Sequence, residues 1–473
     1  MFQTLRAAIV TITAVLLVAQ SVNAAGGSSY LDLMKGLQVP GAVVLVVDHG
    51  RIIEERSFGI KNVDTQDPVG VHTRFEIGSI TKQFTAAAIL QLKGAGKLSL
   101  DDKLGKYIPE YVRGRDVTLR QMLWQISGIP SYTDGKAFSD LIVHRRGRAV
   151  LSRSGSLASV IGMIKDHALD FSPGAKWEYS NSNYYFLGRV VEVASGQPWS
   201  AYIATHVFKP AGMTESSFME NEVNISDMAT GYGISKSKHA LIATGTFSGW
   251  AGGAGAIVST ASDLAKWDAA LFAGTIISKA DLAIMLKPSA LSAGGTDVHY
   301  AFGWVLDRYE HQPRVWHNGG TLGFTASNQI YPEQKQTVIV LANFNSGADE
   351  LANATFDRLH PDFAAASDKP VPGEDVAVTD RAKAVWDSFV FGKPDRAEFT
   401  DEFNKEVTDE VLAGVKAQLA PLGEPALIFK GKTAKNGTTL YTYRLLFKNG
   451  RRLMLYIGIT SAGKIADYAF GAG

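Results

Sequence analysis

The strand signals of this sequence lie at the two ends of a long helix-patterned stretch, and that placement limits the folds open to it. Leu45-Val46-Val47-Asp48 and Ile52-Ile53 flank His49-Gly50-Arg51, two apolar runs about a glycine turn, which predicts a β-hairpin. The β signal returns at Thr325–Tyr331 and Thr337–Ala342, with Pro332-Glu333-Gln334-Lys335 as the turn between them. Between the hairpins, helical periodicity marks Ile80–Lys93, Leu119–Trp124 behind the cap Thr118, Tyr184–Ala194, and Leu264–Phe272, which Thr260 and Asp263 open as a capping box. Ser346 with Asp349 opens one more helix over 347–358. Strands contributed from both ends of one domain imply an α/β (α+β) fold: an antiparallel sheet flanked by helices, with a helical region inserted between its strands.

Residues 360–378 hold Pro361, Pro370, Pro372 and Gly373 among small and charged residues and read as a linker after a first domain of residues 25–359. A second, small α+β domain is expected over 379–473. It has about three helical segments up to Leu419, then a meander of strands near 425–433, 438–447, 452–459 and 464–470, with Asn436-Gly437 and Asn449-Gly450 as two-residue turns. At the other end, Met1–Arg6 carries one positive charge, Ala7–Ala19 carries none, and Val22-Asn23-Ala24 offers the small residues a signal peptidase reads. Residues 1–24 are therefore expected to be a secretory signal cleaved after Ala24, with an uncleaved anchor as the alternative. The apolar run is short of the about 20 residues that span a bilayer, so no membrane span is expected in the mature, periplasmic or secreted protein.

Composition narrows the function. Basic and acidic side chains number 47 and 46, and the 20% charged content does not suit a protein that coats nucleic acid. With no cysteine, the chain has no disulfide, thiolate metal site or thiol nucleophile. The segment richest in chemistry is Phe75-Glu76-Ile77-Gly78-Ser79-Ile80-Thr81-Lys82-Gln83-Phe84. Ser79 and Lys82, three apart at the start of an apolar-periodic helix, share one face. A serine hydroxyl needs a base, and a lysine becomes one when burial and the helix N-terminus lower its pKa. Ser-x-x-Lys arises by chance in many long chains, so two further segments matter: Tyr179-Ser180-Asn181, in a loop entering a helix, and His317-Asn318-Gly319-Gly320, ahead of the strand near 325.

These three motifs, in this order, resemble the serine β-lactamase and penicillin-binding-protein superfamily, in its class C-like branch of D-alanyl-D-alanine carboxypeptidases, D-aminopeptidases and esterases. Gln121–Pro130, Pro210-Ala211-Gly212-Met213-Thr214 and Gly252-Gly253-Ala254-Gly255 leading into Ser259–Asp263 extend the resemblance over about residues 30–358. It implies Ser79 as the acylated nucleophile, Lys82 as its proton partner, and Tyr179 as a group that shares the base role and passes a proton to the leaving group. It implies that Asn181 binds the substrate amide or orients Lys82. By the same resemblance His317 lines the opposite wall, contacting a substrate carboxylate or tuning Tyr179, and the backbone amides of Ser79 and Gly320 form an oxyanion hole, with Gly319 and Gly320 small to allow close approach.

His317 stands where dedicated class C β-lactamases carry lysine, which favours peptidase or esterase chemistry over β-lactam hydrolysis. Gln125 stands where the family often has histidine and is given no catalytic role. Glu220 and Asn224 mimic the spacing of a class A deacylation motif, but their flanks do not match. Trp177, Trp250, Trp304 and Trp316 are candidates for the cleft, with the core as the simpler reading, and Arg145-Arg146 reads as surface. The expectation is an exported serine hydrolase, with no metal or organic cofactor, that acts through an acyl-enzyme on small peptides, amides or esters, D-amino-acid peptides first. The alternatives are an esterase, a weak β-lactamase, or a non-hydrolytic penicillin-binding, cell-wall-sensing protein. Peptidoglycan fragments are candidate partners, nucleic acid is not, and oligomeric state is left open.

Overall fold

A computed structural model describes residues 30–472 except 146–147, 152–153, 220–224, 235–240, 244–248, 296–297, 436 and 449–451. The expected signal, Glu220, Asn224, Arg146, Asn436 of the Asn436-Gly437 turn, and the Asn449-Gly450 turn lie outside the described residues. Two compact units are present: Val39–Ala352, and Asn353–Gly473 together with the described residues up to Gln38.

The first unit is built on a nine-stranded sheet whose paired strands are all antiparallel. In chain order its strands are β1 (Gly41–Asp48), β2 (Arg51–Asn62), β3 (Asp67–Pro68), β4 (Ser292–Gly295), β5 (Val298–Tyr300), β6 (Val305–Tyr309), β7 (Gln312–Gly320), β8 (Thr325–Tyr331) and β9 (Gln336–Ala342). Across the sheet they run β4-β5-β6-β7-β8-β9-β1-β2-β3. The two predicted hairpins meet at the β1–β9 pair, from Ala42 opposite Ala342 to Asp48 opposite Gln336. Residues Ala42–Val46 are fully buried there, as expected of a central strand covered on both faces. Three helices matter for the site: α1 (Thr81–Gly94), α2 (Asn181–Ser195) and α3 (Ala261–Ala273). Phe84 of α1 stacks on Trp267 of α3 with ring centroids 4.1 Å apart, which ties the helix that follows Ser79 into the core.

Local details depart from the sequence reading. Thr260 caps α3 by accepting from the Asp263 amide at 3.2 Å. The reciprocal half of the box is missing, because the Asp263 carboxylate accepts from the Glu215 amide and the Ser216 hydroxyl at 2.7 and 2.8 Å. The complete capping box is at Thr118 and Gln121. His317-Asn318-Gly319-Gly320, expected just ahead of a strand, is itself the end of β7, paired residue for residue with β8 from His317 opposite Asn328 to Gly320 opposite Thr325.

In the second unit, α4 (Val376–Val390), α5 (Asp401–Glu406) and α6 (Asp409–Leu419) precede a four-stranded antiparallel meander, β10 (Ala426–Lys435), β11 (Thr438–Leu446), β12 (Arg452–Thr460) and β13 (Ile465–Ala472). Trp386 and Phe389 of α4 are buried in one cluster with Tyr443, Leu455 and Ile457 of the sheet. The 360–378 segment is not a free linker. Pro361–Ser367 is a helix with proline in its first turn, where the missing N–H costs nothing. Lys430 Nζ donates to the Ser367 and Lys369 carbonyls at 2.8 and 2.9 Å, and Arg452 makes a bidentate pair with Asp368. Among the described residues no helix is long and apolar enough to cross a membrane.

Candidate active site

Ser79 sits in a 3-10 turn, Gly78–Ile80, that feeds directly into α1. Gly78 has φ +50°, a region costly for side-chain-bearing residues, so the sharp turn that presents Ser79 needs glycine. The turn lies backbone to backbone against the end of β7. A Cβ on Gly319 would stand 1.9 Å from the Ile77 carbonyl oxygen and 2.9 Å from the Ser79 nitrogen. A Cβ on Gly78 would stand 2.6 Å from the Gly320 nitrogen, so the Gly320 amide lies beside the nucleophile turn. At Gly320 itself a Cβ meets nothing within 4 Å. Steric necessity for glycine therefore belongs to Gly319, and the expectation that Gly320 also needs it is corrected: Gly320 borders open space.

Lys82 is fully buried and its Nζ is 2.9 Å from Ser79 Oγ, 2.8 Å from Asn181 Oδ1 and 2.8 Å from the Ala254 carbonyl. None of these contacts is a carboxylate, and burial holds the ammonium well below the ordinary lysine range. Tyr179 donates its hydroxyl to Ser79 Oγ at 2.8 Å, and burial pushes its phenol well above the ordinary value. The two shifts together favour a neutral amine and a protonated phenol over an ion pair. The protons then fit in one direction. Tyr179 donates to Ser79 Oγ, Ser79 donates to the Lys82 lone pair, and Lys82 donates to Asn181 and Ala254.

The support is a web of buried hydrogen bonds between the 125–133 loop and the start of α2. Gln125 Oε1 accepts from the Ser180 amide at 3.1 Å and from Asn183 Nδ2 at 2.6 Å. Ser127 donates to Asn183 Oδ1 at 2.7 Å, and Ser182 donates to the Pro130 carbonyl at 2.6 Å. Asn181 Nδ2 donates to Thr133 Oγ1 at 3.0 Å, which turns its Oδ1 toward Lys82. Gln125, fully buried at φ +60°, thus holds the Tyr179-Ser180-Asn181 segment in place.

Of the residues singled out from sequence, Ser79, Lys82, Tyr179 and Asn181 form one hydrogen-bonded cluster, bordered by Gly319 and Gly320. His317 lies near it, its ring centroid 6.3 Å from that of Tyr179, but it is only 3% exposed. Its Nδ1 is 2.5 Å from the Asn318 carbonyl and its Nε2 is 3.0 Å from the Tyr300 hydroxyl. Burial takes its pKa down to about 3, so the ring is neutral. Tyr300, Thr133 and the Ala254 carbonyl had no catalytic signal in the sequence. The Gly252–Gly255 stretch was the one hint of the last, and the site needs its tight backbone: a Cβ on Gly253 would meet the Tyr184 carbonyl at 2.7 Å. Trp250 and Trp304 are fully buried core residues, whereas half-buried Trp177 packs beside Tyr300 at 6.0 Å.

The fold and this constellation are of the beta-lactamase type, and comparison with known proteins agrees. The beta-lactamase family model matches residues 30–361, and the chain belongs to that family. It is 30% identical over 321 residues to Protein flp of Staphylococcus aureus (strain MRSA252), covering 67% of this chain and 61% of that protein, so it spans under two thirds of that relative's length. A D-stereospecific amidohydrolase from Streptomyces sp. superposes with a TM-score of 0.61 at 27% identity, over 68% of this chain and 94% of that one. A penicillin binding protein from Bacillus halodurans gives a TM-score of 0.59 at 27% identity, over 69% and 97%.

Proposed function

We propose that this chain is an exported serine hydrolase that cleaves small amides, peptides or esters of D-amino acids through an acyl-enzyme on Ser79. The observation that carries the reading is the position of Ser79 Oγ, 2.9 Å from a buried lysine amine and 2.8 Å from a protonated phenol. As Oγ attacks the carbonyl carbon, its proton passes to Lys82 Nζ, whose lowered basicity suits it to work near neutral pH. The charge that develops on the carbonyl oxygen is met by the Ser79 and Gly320 amides. Tyr179 then gives its proton to the departing nitrogen or oxygen and regains one from the Lys82 ammonium. Deacylation runs the same route in reverse, with water in place of the leaving group. The raised Tyr179 phenol makes it the proton donor of the pair, so the base role falls to Lys82.

Preference for D-amino acids draws support from the similarity to the D-stereospecific amidohydrolase. Export draws support from the uncharged Ala7–Ala19 run and Val22-Asn23-Ala24. Incubation of the mature protein with a fluorophosphonate or a fluorescent β-lactam, followed by peptide mapping, tests the acyl-enzyme. The expected adduct is on Ser79 and is abolished by Ser79→Ala; no label, or a label that survives the substitution, sinks the proposal.

A further inference from the structure

We infer that Tyr300 is a positioning residue whose hydroxyl fixes His317 as a neutral hydrogen-bond acceptor, so that the site selects acyl donors whose leaving group bears no carboxylate. The inference rests on the serine-hydrolase reading above and narrows its substrate class to amides and esters.

The argument starts from the two ends of the imidazole. Nδ1 is 2.5 Å from the Asn318 carbonyl oxygen, which can only accept, so Nδ1 carries the hydrogen. In the neutral ring Nε2 is then a bare lone pair, and the Tyr300 hydroxyl 3.0 Å away donates to it. Both nitrogens are satisfied without charge in a ring only 3% exposed. The groups that face the ring are Lys82 from α1, Tyr179 from its loop and Tyr300 from β5, and none is an anion that stabilises an imidazolium. The neighbouring Asn318 side chain is committed elsewhere, donating to Asp349 Oδ2 at 2.8 Å. Recognition of a carboxylate beside the scissile bond needs a lasting positive charge, and this motif supplies none.

Tyr300 does a second job with its ring, whose edge meets Tyr179 at a centroid distance of 6.1 Å and an interplanar angle of 84°. The hydroxyl and the ring are separable. Tyr300→Phe keeps the ring contact with Tyr179 and removes the hydroxyl that donates to His317 and also interacts with Gln125 and Tyr184, so the His317 Nε2 resonance is the readout specific to this pair.

The test uses the full chain labelled with nitrogen-15 histidine, with His317→Gln to assign the resonances. The wild-type ring is expected to show one neutral tautomer, protonated at Nδ1, unchanged between about pH 5 and pH 8. In Tyr300→Phe the Nε2 resonance moves to that of an unbonded acceptor. The kinetic half compares D-alanyl-D-alanine with D-alanyl-D-alaninamide, which differ only at the terminal carboxylate. The amide is expected to have the higher kcat/KM by about tenfold or more, and His317→Lys is expected to shrink that ratio by about tenfold, the scale of one added charge contact. An imidazolium in that pH range, an Nε2-protonated tautomer, an Nε2 resonance unmoved by Tyr300→Phe, or a preference for the free acid overturns the inference. Fluorophosphonate labelling separates the two levels. Absence of label on Ser79 defeats the hydrolase reading, and with it the substrate class, while the tautomer spectrum still decides the role of Tyr300. Label on Ser79 with any of the four adverse results defeats the inference alone.

Discussion

Gly319→Ala is the substitution in which the geometry of the site is most exposed to test. The added methyl would stand 1.9 Å from the Ile77 carbonyl oxygen, 2.8 Å from the Ile77 carbonyl carbon and 2.9 Å from the Ser79 nitrogen. All three are backbone atoms, so no side chain can swing away. Restoring ordinary contact requires the end of β7 and the nucleophile turn to part by about 1 Å or more, since interiors are packed without slack. The amides of Ser79 and Gly320, one on each side of that seam and proposed above as the oxyanion donors, are then moved apart. Loss of one oxyanion donor costs about 3 kcal/mol and a factor of roughly 10²–10³ in kcat. Overpacking adds about 1–3 kcal/mol of lost stability. Gly320→Ala is the comparison. Its Cβ has open space and the residue does not have positive φ, so its melting temperature is expected to stay near that of wild type. The assays are the rate of fluorophosphonate labelling, burst kinetics with a p-nitrophenyl ester, and calorimetry. If Gly319→Ala labels within about threefold of wild type, the seam does not set the oxyanion geometry and the reasoning fails.

Three further outcomes follow from the same contacts. Lys82→Arg puts a group that cannot give up its proton where the lysine amine stands, so labelling of Ser79 is expected to fall by about 10³-fold or more, whereas the wild-type rate rises with pH through an apparent pKa well below the ordinary lysine range; an active arginine variant would refute Lys82 as base. Gln125→Ala strands the Ser180 amide and Asn183 Nδ2 without an acceptor, at about 1–3 kcal/mol each, and a calorimetric loss under about 1 kcal/mol contradicts that positioning role. Burial takes the Asp268 carboxyl up to about 8, partly opposed by Asn328 Nδ2 at 3.0 Å, so the folded chain holds a proton that the unfolded chain releases near pH 4. Stability from this group therefore falls as pH rises between about 4 and 8, by up to about 1.4 kcal/mol per unit. Asp268→Asn should raise the melting temperature more at pH 8 than at pH 5, and an equal change at both pH values counts against it.

The sequence was most legible where chemistry and local geometry coincide. Ser79 and Lys82 are three apart where a 3-10 turn runs into α1, so spacing placed that pair, whereas Tyr179 and Asn181, at the entrance of α2, were singled out by the resemblance. That one sheet draws its strands from both ends of the domain was legible too, although the β1–β9 ladder that joins the two hairpins was not itself predicted. Strands β4–β7 were not. Gln312-Pro313-Arg314 and His317-Asn318-Gly319-Gly320 carry turn-forming residues, and it is the pairing with β6 and β8 that holds them extended. Tyr300 was illegible for a related reason. It reaches His317 across two ladders, with Tyr300 opposite Val305 and Val305 opposite Trp316, and register of that kind is set by the whole sheet. The Pro361–Ser367 helix was missed because proline was read as a breaker, although at the first turn of a helix it is compatible with the fold.

Burial disfavours charge on each working group of the resting site. Removal from water disfavours the ammonium of Lys82 and the phenolate of Tyr179, and His317 is neutral with both nitrogens satisfied. Groups that bind a ground-state carbonyl strongly do little for rate, because only interactions that strengthen in the transition state lower the barrier. In the proposed mechanism the negative charge that appears on the substrate oxygen meets backbone amides, and the positive charge that grows on Lys82 meets Asn181 Oδ1 and the Ala254 carbonyl, both already in place at 2.8 Å. Both charges arise only as the bond forms. A permanent cation at position 317 would bind a substrate carboxylate in the ground state and the transition state alike, and so would lower KM for acidic substrates while leaving kcat where the serine, lysine and tyrosine set it.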